Sequence, residues 1–148
     1  SIEEIMNDWN TMAYNYYTND IKLKPGALQY LLKLKELGIK IGLATSNSMH
    51  LLTTTLKSNN AFELFDAITV TDEVEKSKSN PDIYLLAAKK LGVNPSECMV
   101  FEDIIAAVYG AKLAGMKVTG VYDKHSEHQI DILKKECDNY IYNYEDLI

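Results

Sequence analysis

A chain of 148 residues, 47% hydrophobic and 24% charged, has the size and make-up of one folded domain with its own core. Its net charge is −6, with 21 acids, 15 lysines and no arginine, so it offers no basic face for a nucleic-acid backbone. No run approaches the roughly 18 apolar residues of a membrane span, and the acidic opening SIEEIMNDW does not read as a signal peptide, so a cytoplasmic protein without a membrane partner is expected.

Residues 2–17 carry Ile2, Ile5, Met6, Trp9, Met12, Ala13 and Tyr16 at spacings of three and four, which predicts a helix. Pro25-Gly26 opens a second helix, with Leu28, Leu31, Leu32 and Leu34 as its buried stripe and Gly38 as its stop. IKIGLAT, residues 39–45, reads as a strand, and Ser48 can cap a helix over 49–58. A short strand follows at 67–70, then the polar loop TDEVEKSKS. Asn80-Pro81 starts a helix that runs from Asp82 to Leu91 and stops at Gly92. CMVF, residues 98–101, is a strand, and Asp103 sits where an N-cap would sit for a helix ending at Ala114. Residues 116–121 form a strand, 126–136 a helix, and 140–142 a last short strand.

Five strands alternate with helices, and several are near-continuous apolar runs. That pattern belongs to parallel strands covered on both faces. The expected class is α/β, a Rossmann-like three-layer open parallel sheet, with ligands at the carboxyl ends of the strands. The two cysteines, Cys98 and Cys137, have neither metal nor redox spacing and read as reduced thiols.

The strand ends carry the chemistry. Thr45 and Ser46 follow IGLA, Asp72 follows ITVT, Glu102 and Asp103 follow CMVF, and Asp123 follows VTGVY. In a parallel sheet all of them crowd one rim, and several carboxylates on one rim call for a cation. Mg²⁺ suits hard oxygen ligands, with Asp103 as the direct ligand and Glu102 second or through water. The plainer alternative is that Asp103 only caps its helix and Glu102 is a solvated turn residue. Thr45, Ser46 and Asn47 precede a helix and can bind an anion, or one hydroxyl can simply cap it. Lys78 can reach over the rim to a phosphate, with Lys76 as its rival. No GxxxxGK[ST] or GxGxxG is present, and His50, His125 and His128 make no metal spacing with the cysteines. Taken together, hydroxyls, lysine and carboxylates describe a phosphate-and-magnesium site.

LATSN carries Thr45, KSNPDIY carries Lys78, VFEDIIAAVYGAKLAGM carries Glu102 and Asp103, and KPGALQYLLKLKELGIKIGLATSN leads in from Lys24. On these motifs nearly the whole chain resembles the haloacid dehalogenase-like hydrolases, in their phosphatase and phosphoglucomutase-like branch with a helical cap; they match the family's second motif with Thr45 at the key position, the third with Lys78, and the fourth with Glu102 and Asp103. The first motif, DxDGT, has no counterpart in these residues; in the family its first Asp is the nucleophile and its second the general acid and base. Ile104 stands where the family usually has Ser, Ala107 where it has Gly, and Ser79-Asn80 where it has Pro-Ala.

The resemblance implies a strand order 5-4-1-2-3, with strand 1 supplied by a segment that precedes these residues. Residues 1–20 would then be the end of a helical cap, with Trp9, Tyr14, Tyr16 and Tyr17 either lining the site or packing against the rest of the cap, and 21–148 a core lacking its first strand. The strands at 39–45 and 98–101 would be unpaired, which invites self-association or a separate N-terminal fragment. The implied function is a Mg²⁺-dependent phosphomonoester hydrolase for a small phosphorylated metabolite, with these residues alone inactive. Thr45 and Lys78 would be catalytic, Thr45, Ser46, Asn47 and Lys78 would hold phosphate, and Asp103 and Glu102 the metal. A sugar-phosphate mutase and a non-catalytic binding module are the alternatives.

Overall fold

A computed structural model of the chain describes residues 7–10, 26–45, 49–58 and 61–148. Among these described residues six strands lie in one sheet: β1 (Asn7–Asn10), β2 (Lys40–Thr45), β3 (Ala67–Val70), β4 (Cys98–Glu102), β5 (Lys117–Val121) and β6 (Asn139–Ile141). Their order is β3-β2-β1-β4-β5-β6, and every pairing is parallel. The described residues also form the α-helices α1 (Ala27–Glu36), α2 (Met49–Ser58), α3 (Asp82–Leu91), α4 (Ile105–Leu113) and α5 (Ile130–Glu136).

The sheet is buried on both faces, as its apolar runs require. Along β4, Met99 and Phe101 enter one core with Tyr30, Leu31 and Leu34 of α1 and Leu56 of α2. Cys98 and Val100 point the other way, into a core with Ile83, Tyr84 and Ala87 of α3, Val108 and Ala111 of α4, and Leu133 of α5. The period of two along the strand therefore serves two helix layers. An aromatic trio knits the first layer to the C-terminus: the Tyr30 and Phe101 rings lie edge to face at 5.7 Å, and Phe101 and Tyr144 are 5.6 Å apart.

The helix expected over 2–17 is corrected at Asn7–Asn10, which form β1 between β2 and β4. Trp9 aligns with Gly42 on one side and Val100 on the other. The unpaired strands expected at 39–45 and 98–101 are therefore both paired along β1. The physical reason is local: the slot between two parallel strands presents rows of backbone donors and acceptors, and any extended segment that enters it satisfies them. Side-chain periodicity carries no information about such a slot. The order otherwise follows the expected 5-4-1-2-3, with β6 added at the edge. The rest of the predicted helix, Tyr14, Tyr16, Tyr17 and the boundary at residue 20 lie outside the described residues.

Smaller corrections concern termini. Leu32 is 47% exposed rather than part of the α1 stripe. The cap of α3 is Pro81, and that of α4 is Ile104, one residue beyond Asp103. The helix expected over 126–136 begins as a 3-10 stretch at Lys124–Gln129 before α5. There the Asp123 carboxylate accepts the His125 N–H at 2.8 Å, and the Asp123 carbonyl accepts that of Ser126 at 3.1 Å, a tight turn that delays regular winding.

Candidate functional site

Parallel pairing puts the carboxyl ends of β2, β3 and β4 on one rim. There Thr45, the 71–79 loop, Glu102 and the first turn of α4 surround an open cavity of about 660 Å³. Thr45 is the last residue of β2 and is buried.

Glu102 closes β4. Its position in the strand pairs it with Cys98 and Val100, on the face covered by α3 and α4, and it is only 1% exposed. A carboxylate so placed needs charge and hydrogen bonds to offset its lost hydration. It has both. Lys78 Nζ lies 2.5 Å from Glu102 Oε2, and the Tyr84 hydroxyl donates to the same oxygen at 2.7 Å. Tyr84 reaches it because α3 buries Ile83, Tyr84, Ala87, Ala88 and Leu91, a helical stripe that faces the sheet. Burial, with the Glu102 carboxylate beside it, pushes the Tyr84 phenol well above its ordinary range, so it stays a hydrogen-bond donor.

The loop that delivers Lys78 is tied at both ends. The Val70 N–H donates to Glu73 Oε2 at 2.8 Å, and Lys90 Nζ holds Glu73 Oε1 at 2.6 Å and the Ile68 carbonyl at 2.9 Å. At the far end the Asn80 N–H donates to the Ser77 carbonyl at 3.0 Å. That far end also rests on Gly110 of α4, where a Cβ would fall on the Lys78 carbonyl oxygen and 2.8 Å from that of Asn80.

Asp103 follows β4 and is 3% exposed. It lines a second, smaller cavity of about 160 Å³ with Asp123, His125, His128 and Gln129, and Ile104 lines both cavities. The structure thus brings Thr45, Asp72, Lys78 and Glu102 onto one cavity and places Asp103 and Asp123 on its neighbour. Lys76 also lines the larger cavity but is exposed. Ser46 and Asn47 lie outside the described residues, and His50 is exposed on α2. Among the described residues no group of three or more His, Cys, Asp and Glu could hold a metal by itself. Adjacent buried carboxylates are nevertheless the hard oxygen donors that Mg²⁺ takes one or two at a time.

Three residues with a part in this geometry escaped the sequence reading. Tyr84 looked like an ordinary core aromatic. Gly110 carried a signal, since a glycine inside a helix costs about 1 kcal/mol against alanine and so marks a close approach. Gln129 carried none, because its partner is 24 residues away in sequence.

The sequence profile of the haloacid dehalogenase-like hydrolases matches residues 2–115. The candidate phosphatase YhcW of Bacillus subtilis is 47% identical over 103 residues, which cover 70% of this chain and 47% of that protein. Hexitol phosphatase B of Escherichia coli is 34% identical over 95 residues, covering 64% of this chain and 43% of the other. The chain thus spans about half the length of these curated relatives. Among solved structures, CbbY from Rhodobacter sphaeroides in complex with phosphate superposes with a TM-score of 0.80 at 27% identity, over 86% of this chain and 57% of that one. A β-phosphoglucomutase candidate from Thermotoga maritima gives a TM-score of 0.74 at 30% identity, over 85% and 58%. No helix among the described residues is long and apolar enough to cross a membrane.

Proposed function

Since the chain belongs to the haloacid dehalogenase-like hydrolases, we propose that it forms the larger part of the core of a Mg²⁺-dependent phosphomonoester hydrolase for a small phosphorylated metabolite. A preceding segment would carry the DxDGT motif and would take the central slot between β2 and β4 in place of Asn7–Asn10, which fill it here. The observation that carries this reading is the Lys78–Glu102 pair on the same open cavity as Thr45.

In this reading the cavity takes the phosphoryl group. Lys78 turns its ammonium toward the phosphoryl oxygens and the attacking carboxylate, where negative charge gathers as phosphorus becomes five-coordinate. Glu102 and Tyr84 keep that ammonium in place. The Thr45 hydroxyl donates to a phosphoryl oxygen, and Ser46 and Asn47, ahead of α2, offer further donors. Asp103, with Glu102 beside it, would hold Mg²⁺, which when bound neutralises charge on the transferring group. The first Asp of the motif would form the new O–P bond as the bond to the leaving alcohol breaks, and the second would protonate that alcohol and then activate water.

The test is inorganic phosphate release from a panel of sugar, polyol and nucleoside monophosphates by the full-length protein. Release that needs Mg²⁺ and is lost in Lys78→Met supports the reading. A folded protein that carries DxDGT and releases no phosphate from any of them overturns it. The likeness to β-phosphoglucomutase structures favours one second reading, a mutase; its mark is a positional isomer of a sugar phosphate without free phosphate. Absence of DxDGT upstream would leave a non-catalytic binding module.

A further inference from the structure

The first turn of any helix leaves backbone N–H groups without partners inside the helix, and a polar side chain at the cap normally takes one of them. At the start of α4 the cap residue is Ile104, in extended conformation (φ −124°, ψ 131°), with no side-chain cap hydrogen bond. Isoleucine has no acceptor to give. The Ile105 N–H donates instead to Gln129 Oε1, at 3.0 Å, from across the smaller cavity.

We propose that Gln129 is a positioning residue, a distant cap of α4 that fixes the turn carrying Glu102 and Asp103. Ile105 is only two residues beyond Asp103, so tethering its N–H limits how the turn can move. The tether starts from a firm base. Gln129 stands at the junction of the 3-10 stretch and α5. That stretch is pinned by the Asp123 carboxylate on the His125 N–H, and the strand before it by the Tyr122 N–H on the Ile141 carbonyl at 2.9 Å. Leu133, one turn further on, is fully buried. The side chain's neutrality also matters. A carboxylate at 129 would accept the same hydrogen bond, but it would put a third acid on the cavity that Asp103 and Asp123 line. Glutamine satisfies the N–H without that repulsion.

The test uses the full-length protein and two readouts that do not depend on turnover. The variants are Gln129→Met, which keeps the length and loses the acceptor, and Gln129→Met combined with Ile104→Ser, which supplies a local cap. Amide exchange is followed at Ile105, and Mg²⁺ affinity is measured by calorimetry without substrate. We expect Gln129→Met to speed exchange at Ile105 and to weaken Mg²⁺ binding about 10-fold, the lower end of what outer-sphere partners of a metal site contribute. Ile104→Ser, whose hydroxyl would accept from the N–H of Ala106 or Ala107, should restore the Mg²⁺ affinity while exchange at Ile105 stays fast. If Gln129→Met does not fold, the double variant is compared with Ile104→Ser alone, and faster exchange at Ile105 with near-equal affinity is expected. Unchanged exchange at Ile105, or a loss of affinity that the serine does not recover, overturns the proposal. The Mg²⁺ arm rests on the phosphatase reading: if the unaltered protein binds no Mg²⁺, that reading falls, and exchange at Ile105 decides the proposal alone.

Discussion

The Tyr84 hydroxyl stands 2.7 Å from Glu102 Oε2, the oxygen that Lys78 also reaches. One buried carboxylate oxygen thus takes a neutral and a charged donor at once, from two different elements. Tyr84→Phe keeps the ring in its core and removes only the hydrogen bond. A hydrogen bond to a charged group contributes about 1.5–3 kcal/mol, so urea unfolding should show a loss in that range. An unchanged midpoint would mean that Tyr84 only fills space.

The Lys78–Glu102 pair makes a sharper demand. Lys78→Met leaves the Glu102 charge buried with one neutral donor, and breaking a buried pair on one side costs about 3–5 kcal/mol. Lys78→Met combined with Glu102→Gln removes both charges and should recover most of that stability. Activity should separate from stability here. Both variants lose the ammonium, so both should fall by about 10²–10³ in kcat. Recovery of kcat in the double variant would remove Lys78 from the chemistry.

How far the sequence alone reached follows from what each kind of signal measures. Apolar runs report burial on two faces, so β2 through β6 and the parallel class were legible to within a residue or so. The rim was legible because a parallel sheet sends every strand-end residue the same way, and Thr45, Asp72, Lys78 and Glu102 do share one cavity. β1 was not legible, since pairing in a central slot is a backbone event and Asn7–Asn10 lie within a helical spacing of apolar residues. Nor was the partition of Glu102 and Asp103 between two cavities. Glu102 is the last residue of β4 and Asp103 the first beyond it, so the turn there, and not their adjacency in sequence, decides which cavity each one lines. The links from Tyr84 and Gln129 are tertiary, and no local pattern announces them.

Gly110 offers a steric test of how Lys78 is held. A methyl group there would meet the Lys78 carbonyl, which is backbone and cannot swing aside. Either α4 or the 71–79 loop must shift. Gly110→Ala is ordinarily favourable in a helix by about 1 kcal/mol, but here the clash should dominate and cost about 1–3 kcal/mol net. The loop is the less constrained side, so Lys78 should move with it. The expected signature is a drop in kcat larger than in Lys90→Met, which loosens the same loop from its other end. A more stable Gly110→Ala protein would show that the close approach is relieved without strain.

Asp66 gives the pH dependence of the fold a definite sign. Its carboxylate joins the end of α1 to the start of β2: Lys35 Nζ reaches both oxygens at 2.8 Å, and the Ile41 N–H donates to Oδ2 at 2.8 Å. Partial burial opposes the charge, but the Lys35 and Ile41 hydrogen bonds together outweigh it and hold the carboxyl below its ordinary value of 3.8. A group whose pKa is lowered by folding contributes its stability above the unfolded pKa and loses it as pH falls through the folded one. Both side chains are about one-third exposed, at 31% and 36%, and solvent screens the pair. The contribution should therefore be modest, about 0.2–1 kcal/mol. Unfolding free energies of the parent and Asp66→Asn should differ by that amount near neutral pH. The gap should persist down to about pH 4 and then close as the pH falls further. A gap that widens in acid would reverse the sign and remove Asp66 as the clamp between α1 and β2.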